Sequence, residues 1–144
     1  MPNSLIFCDS NIWLYRFLVD PDGDNSEEIK KHNIATNLTN AENILISTQV
    51  INEVCAILLR KAKVSEIKIR QIIQEFYDGC IVIEIDYNII VIASDLRISY
   101  NFSFWDSLIV ASALSGGADI LYSEDMQDGL IVSEQLTIIN PFKS

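Results

Sequence analysis

The chain has 144 residues, of which 49% are hydrophobic, and this size suits a single domain over residues 1–144 with one buried core. Its 10 basic and 20 acidic residues give a net charge of -10, which disfavours a simple nucleic-acid-binding module because like charge slows the approach to a polyanion. No apolar run approaches the ~20 residues that span a bilayer, and residues 1–8 lack the basic start and apolar core of a signal peptide, so we expect a cytoplasmic protein without a membrane partner.

Short apolar runs alternate with longer segments of helical spacing along the chain. Five strands are predicted at residues 4–8, 44–46, 80–85, 120–122 and 136–139. Helices are predicted after the first strand, from an N-cap at Ser26 to about Leu38, and around residues 50–58, 69–76 and 107–114. Because strands that alternate with helices need crossover connections, the pattern predicts a mainly parallel sheet.

The thiols and the single imidazole point away from sulfur or histidine chemistry. Cys8, Cys55 and Cys80 each lie among apolar neighbours, which favours reduced, buried thiols. His32 lies in a polar helix far along the chain from the acids described next, so we expect a surface residue and not a general base.

Asp9 is the first of four acids that lie where an apolar segment ends or a helix begins. It follows the first predicted strand and precedes Ser10 and Asn11. Ligands of open parallel sheets bind outside the carboxyl ends of the strands, so this position suits a functional site. Asp9 or Ser10 equally suits the N-cap of the next helix, and the residue types do not separate the two roles.

Glu53 and Asp106 lie in the first turns of two predicted helices. Glu53 follows Val50 by three residues and shares its apolar-leaning face, which places it at the rim of the core, in a pocket, or on the surface as an ordinary helical Glu. Asp106 follows Ser103 by three residues, a capping-box spacing that needs no chemistry to explain it. The same helix N-terminus also favours an ionised carboxylate that is able to hold a cation.

Asp125 follows the fourth predicted strand, which we expect to lie beside the first one at the switch point of the sheet. An acidic loop with a glycine is often only a turn. Of the two further acids in this loop, Asp128 is favoured over Glu124 as a neighbour of the site. Carboxylates that converge repel one another unless a cation or protons neutralise them, so four such acids indicate a divalent metal ion.

Five stretches follow one another in a characteristic order over nearly the whole chain. They are Phe7-Cys8-Asp9-Ser10-Asn11-Ile12, Ser47 through Val50 to Glu53, Trp105-Asp106-Ser107-Leu108-Ile109-Val110-Ala111, Leu121-Tyr122-Ser123-Glu124-Asp125-Met126-Gln127-Asp128-Gly129 and Ile139-Asn140-Pro141-Phe142. Together these stretches resemble a PIN domain, and especially the VapC-type toxins of bacterial toxin–antitoxin pairs.

The resemblance implies a three-layer α/β/α sandwich with a central, mainly parallel five-stranded sheet, a Mg²⁺ or Mn²⁺ site and endoribonuclease activity. It also implies an RNA substrate, a cognate antitoxin and a homodimer. Serines at positions 10 and 123 stand where the family frequently has Thr, and they keep the hydroxyl group. By position, the residues implied to hold the metal are Asp9, Glu53, Asp106 and Asp125, and those implied to support them are Asn11, Ser123 and Asp128.

Three other classes of protein stay open on the residues alone. A haloacid-dehalogenase-like phosphatase resembles Asp-x-Asp after the first strand, but here Asn11 replaces the second acid. A phosphoacceptor receiver domain has paired acids in that region and a Lys after the last strands, whereas Lys143 lies at the extreme end. The third class is a non-catalytic binding or scaffold domain of the same fold. A partner groove around Trp13, Phe17 and Leu58 is conceivable, although core positions are favoured for these residues.

Overall fold

The computed structural model describes residues 4–143, and within this range the chain forms six helices and six strands. The strands are β1 (Ile6–Cys8), β2 (Ile44–Ser47), β3 (Ile81–Ile83), β4 (Ile120–Tyr122), β5 (Ile131–Val132) and β6 (Leu136–Ile139). The helices are α1 (Ser10–Leu18), α2 (Ser26–Thr39), α3 (Thr48–Lys61), α4 (Glu66–Gly79), α5 (Tyr87–Ser99) and α6 (Phe104–Ser115).

The strands form one sheet in the order β3-β2-β1-β4-β6-β5, and all neighbouring pairs are parallel except β5 with β6. The five predicted strands are all present, and the mainly parallel sheet is confirmed. The sixth strand, β5, was not predicted because two residues are too short to show a period of two. Its turn into β6 is also hard to recognise, since Ser133 and Glu134 adopt positive φ angles of 52° and 58° that usually require Asn or Gly.

The direction of the crossovers separates the helices into two layers. The connections from β1 to β2 and from β2 to β3 move one way along the sheet, whereas the connection from β3 to β4 returns past β1. Parallel crossovers are right-handed, so α1 to α4 cover one face and α5 and α6 cover the other. Side-chain contacts agree with this assignment, since Trp13 of α1 packs edge-on against Phe76 of α4 at 5.0 Å between ring centroids. The three-layer α/β/α arrangement is thereby confirmed.

The core lies on both faces of the sheet. Phe7, Leu45, Leu121 and Ile138 of the four central strands are completely buried. Trp13 and Leu58 belong to this core, and Phe17 packs against it, which agrees with the core positions favoured by the sequence. Cys8 and Cys55 are buried as expected, while Cys80 is only half-buried, and all three thiols are free. No helix in residues 4–143 is long and apolar enough to cross a membrane.

Two helices differ from the sequence prediction in ways that have local causes. The N-cap of α2 is Asn25, whose side chain accepts from the backbone N–H of Glu28, so the predicted Ser26 is the first helical residue. Helix α5 was not predicted, because its apolar run from Ile89 to Ala93 has no amphipathic period and resembles a buried strand as much as a helix.

Gly116, the C-cap of α6, allows this helix to end directly against the sheet. A Cβ atom added at Gly116 would lie 2.6 Å from Cδ2 of Leu45 and 2.9 Å from Cδ1 of Ile83. Leu45 is fully buried, so its side chain would have to shift within the packed core. We therefore expect Gly116→Ala to lower the free energy of unfolding by about 1–3 kcal/mol through overpacking, as measured by urea denaturation.

Gly79 offers a matched control for this substitution. It is the last residue of α4, is exposed, and a Cβ atom added there meets nothing within 4 Å. Gly79→Ala should be neutral or should stabilise by up to about 1 kcal/mol, because Ala is the better helix former. Equal effects of the two substitutions would contradict the close contact at Gly116.

Candidate active site

The candidate site lies where the carboxyl ends of β1 and β4 meet. The two strands pair in register, with Cys8 opposite Tyr122, and the ladder continues because the backbone N–H of Asp9 donates to the carbonyl of Tyr122 at 3.0 Å. The chain leaves β1 toward β2 and leaves β4 toward β6, so this is the switch point of the sheet. Asp9 and Ser123 are the first residues beyond the two strands and lie side by side.

Asp9 is buried, with 3% of its surface exposed, and caps α1. Its Oδ1 accepts from the backbone N–H of Ser10 at 2.7 Å, and its Oδ2 accepts from the hydroxyl of Ser123 at 2.8 Å. The cap and the site therefore use the same carboxylate, and the two roles that the sequence left open are both compatible with its position.

Asn11 joins the first acid to the last. Its Nδ2 donates to Oδ2 of Asp125 at 3.1 Å and lies 3.5 Å from Oδ2 of Asp9, while its Oδ1 accepts from the backbone N–H of Glu124 at 3.3 Å. The hydroxyl of Ser123 also accepts from the backbone N–H of Asp125 at 3.3 Å. Asn11 and Ser123, two of the three residues expected to support the acids, thus hydrogen-bond to them.

Glu53 and Asp106 approach from opposite helical layers. Asp106 lies in the first turn of α6, where its backbone N–H donates to the Ser103 hydroxyl at 3.1 Å, as the capping-box spacing predicts. It shares a cleft of about 310 Å³ with Asp125, which is exposed. Glu53 lies on α3 and is half-buried, and its Oε1 is buried without a hydrogen-bond partner among the described residues.

Burial and the charges of neighbouring acids raise the pKa values of Asp9, Glu53 and Asp106. Burial raises the pKa of Asp9 to about 6, the hydrogen bonds from Ser123 and Ser10 oppose this rise, and the charges of Asp106 and Glu53 add to it. Burial also raises the pKa values of Glu53 and Asp106; the charge of Asp106 adds to the rise at Glu53, and that of Asp125 adds to the rise at Asp106. Asp9, Glu53 and Asp106 therefore lie within electrostatic range of one another, and Asp125 lies within range of Asp106.

The donor set fits a hard divalent cation, although the described residues do not form a closed metal-binding cluster. Within residues 4–143 no three carboxylate, imidazole or thiolate groups converge closely enough to enclose an ion. Mg²⁺ is commonly held by one or two carboxylates and keeps several waters, so a closed cluster is not required. The unpartnered Glu53 Oε1 and the buried Asp9 carboxylate are the groups that a cation would satisfy.

Glu124 and Asp128, the two further acids of the loop after β4, each bind a group other than the four acids. The carboxylate of Glu124 accepts from the hydroxyl of Tyr15 at 2.8 Å and pairs with the ammonium of Lys31 at 2.6 Å. Asp128, which the sequence favoured, instead accepts from the backbone N–H of Asn140 at 2.8 Å and so holds the turn before β5 onto the end of β6. Sequence alone gave no signal for the contacts of Glu124, because Lys31 and Tyr15 lie more than 90 residues away along the chain.

His32 takes no part in this arrangement. It is half-buried and not on the open surface as predicted, because its Nδ1 lies 2.9 Å from the backbone carbonyl of Tyr15. The structure thus gives this imidazole a structural contact within the α1–α2 pair.

A second, larger cleft of about 630 Å³ borders the acids. Glu53 lines it together with Gln49 and Asn52 of α3, and Phe104 and Trp105 of α6 also line it. The aromatic rings were missed as site residues, although two consecutive aromatics directly before an acid at a helix N-terminus cannot both face the core. That placement is the signal that could have indicated them.

Comparisons with known proteins agree on the fold. A family model for the PIN domain matches residues 6–127. Among solved structures, a toxin–antitoxin complex from Klebsiella pneumoniae is similar with a TM-score of 0.67 and 18% identity, covering 96% of this chain and 98% of that chain. No curated protein is significantly similar in sequence.

Two further solved structures are similar at comparable levels. VapC20 from Mycobacterium tuberculosis, described as a sarcin-ricin loop cleaving toxin, has a TM-score of 0.61 and 16% identity, covering 83% of this chain and 89% of that chain. VapBC2 from Rickettsia felis, bound to a DNA fragment from its promoter, has a TM-score of 0.62 and 17% identity, covering 93% and 96%.

The raised pKa of Asp9 makes a prediction about stability without metal. A carboxyl whose pKa rises from 3.8 in the unfolded chain to about 6 in the folded one costs stability as the pH rises through that interval. Asp9→Asn removes this cost and keeps a good N-cap. In the presence of a chelator at pH 8, we expect the variant to be about 1–3 kcal/mol more stable than the wild type, with little difference near pH 4.

The measurement is chemical denaturation at both pH values, with Asp95→Asn as the control because Asp95 is an exposed acid of α5. If the Asp9→Asn protein is less stable than the wild type at pH 8, ionisation of Asp9 does not destabilise the folded chain.

Proposed function

Because the chain belongs to the PIN domain family, we propose that it is a divalent-metal-dependent endoribonuclease, a hydrolase of RNA phosphodiester bonds. The observation that carries this proposal is the burial of Asp9 at the switch point, together with three further acids whose charges raise the pKa values of their neighbours. A scaffold domain without catalysis has no need of a carboxylate that destabilises the fold when it ionises.

The acids have distinct roles in this proposal. Asp9 and Asp106 are the principal groups that hold Mg²⁺ or Mn²⁺, and Asp125 and Glu53 complete the site directly or through water. When bound, such an ion supplies charge neutralisation at the scissile phosphodiester, acidification of water and stabilisation of the leaving oxygen.

The neighbouring polar groups fix the acids in place. The Ser123 hydroxyl and the Ser10 N–H donate to separate oxygens of Asp9. These hydrogen bonds orient the carboxylate and favour its ionised form. Asn11 holds Asp125 through its amide nitrogen and the backbone of Glu124 through its amide oxygen. The ion pair of Glu124 with Lys31 then ties the same loop to α2.

The proposed biological role is that of the toxin of a type II toxin–antitoxin pair. Its support is the resemblance to VapC-type toxins and the toxin–antitoxin complexes among the proteins of similar fold. The partners in this proposal are an RNA substrate, a small cognate antitoxin that masks the acids with a basic side chain, and a second copy of the chain in a homodimer. The site is strongly acidic, so a cationic side chain is the group that it would bind most favourably.

The catalytic proposal is tested by removing single carboxylates. We expect Asp9→Asn and Asp106→Asn each to lower the rate of Mg²⁺-dependent RNA cleavage by about a hundredfold or more, since each loses charge that holds the ion. The measurement is cleavage of a panel of structured RNAs in Mg²⁺ or Mn²⁺ and with chelator. Asp95→Asn makes the same change of charge on the surface of α5 and should leave the rate within about twofold.

Folding must be verified for each variant by circular dichroism and thermal unfolding. Retention of metal-dependent cleavage in a folded Asp9→Asn or Asp106→Asn protein rejects the assignment. A wild-type protein that cleaves none of the RNAs with either metal favours the scaffold alternative.

The partner proposals have their own measurements. Multi-angle light scattering of the purified chain should give twice the mass of 16.3 kDa, and a monomer at high concentration removes the homodimer. The proposed antitoxin is the protein encoded by the neighbouring gene. Co-expression of the two proteins should yield a complex without ribonuclease activity, because the antitoxin covers the acids. A stable complex that still cleaves RNA at the free rate would contradict masking of the site.

A further inference from the structure

The N-terminus of α6 carries an aromatic stack that the roles assigned to the acids leave unused. The rings of Phe104 and Trp105 stack with 5.1 Å between centroids and 13° between planes. The guanidinium of Arg97 lies 4.5 Å from the centroid of the Phe104 ring. The side chains of Phe104 and Trp105 remain 49% and 65% exposed, which leaves planar surface available for a further group.

The stack is built into the scaffold and borders the acids. Trp105 directly precedes Asp106, and both aromatic residues line the same cleft as Glu53. The amide nitrogen of Gln49 donates to the backbone carbonyl of Trp105 at 3.3 Å, and Arg97 donates to the hydroxyl of Ser107 at 2.7 Å. Contacts from α3 and α5 therefore hold the start of α6, and the stack with it, in place.

The residues that line the cleft suit the base of a nucleotide better than its phosphate. Glu53 is the ionisable residue among those that line it, so the cleft offers no cationic side chain to a phosphate group. The remaining lining is mostly apolar or amide-bearing, which suits a flat, uncharged ring with polar edges. Unpaired bases bind proteins by stacking on aromatic rings and on Arg planes, and the volume of about 630 Å³ lies within the range of small-ligand sites.

We propose that Trp105 and Phe104 form a platform on which an unpaired nucleobase of the RNA substrate stacks, beside the phosphodiester that the acids address. This inference rests on the proposed function and assigns to Trp105 and Phe104 the positioning of one base of the RNA at the same site. Stacking tolerates every base, so the platform selects unpaired over paired RNA and does not select one sequence.

The fluorescence of the chain reports on the platform directly. The chain has two tryptophans: Trp13 is 4% exposed, so changes caused by a ligand in the cleft come from Trp105. The titration uses the Asp9→Asn protein in Mg²⁺, so that the RNA is not cleaved during the measurement. A single-stranded RNA hexamer should quench the emission, whereas a hexamer with abasic sites, which keeps every phosphate, and a duplex of equal length should quench it far less.

Substitutions then separate stacking from a general effect on folding. Adding Trp105→Ala should weaken binding of the hexamer by about 5- to 100-fold, measured by the anisotropy of a labelled hexamer, and Trp105→Phe should restore most of it. Tyr87→Ala removes an aromatic side chain that is 79% exposed at the start of α5, and it should leave the affinity for the hexamer unchanged. Equal binding by the Trp105→Ala protein, or equal binding of the abasic hexamer, overturns the platform.

The failure of the platform and the failure of the nuclease give different results. Cleavage by the wild type with no effect of Trp105→Ala on binding or on kcat/KM rejects the platform and leaves the nuclease. Quenching of Trp105 by single-stranded RNA without cleavage in Mg²⁺ or Mn²⁺ rejects the nuclease and leaves the platform. Conversion of a dimer to a monomer by Trp105→Ala would show that this face binds a second copy of the chain, which also overturns the proposal.

Discussion

The parallel pairing of β1 with β4 is the constraint on which the candidate site depends. Cys8 lies opposite Tyr122, so the next residues, Asp9 and Ser123, must leave the sheet at the same edge. No local feature of the chain brings these segments together, since they are 114 residues apart. The crossovers on either face then deliver Glu53 and Asp106 to that edge, and the geometry of the acids follows from strand order more than from any loop.

Features that depend on neighbouring residues could be predicted from the sequence, whereas features that depend on unusual backbone angles or on distant contacts could not. Alternating apolar runs and cap residues predicted the strands, the parallel sheet and the positions of Asp9 and Asp106, because each depends on short-range chemistry that is visible in the chain. The β5 hairpin was missed because Ser133 and Glu134 take left-handed backbone angles without a Gly. Pairings such as Lys31 with Glu124 depend on which distant surfaces the fold apposes, and residue types alone do not reveal them.

The site opposes the stability of the fold that carries it. Burial and neighbouring acids disfavour the ionised form of Asp9, while two hydrogen bonds favour it, and the balance is a pKa of about 6. The chain as a whole carries a net charge of -10, so no surplus of positive charge relieves the repulsion. Arg97 lies over the ring of Phe104, and Lys31 pairs with Glu124. Among the contacts of the described residues, the four acids therefore have no cationic partner.

The ends of the sheet limit how copies of the chain can associate. One border is β3, with three residues, and the other is β5, with two residues that run against the direction of the rest. Such short borders present few free N–H and C=O groups, and the reversed one is a poor template for extending a parallel array. Continuous sheet across two molecules is thereby disfavoured, which protects the folded chain from fibril-like stacking.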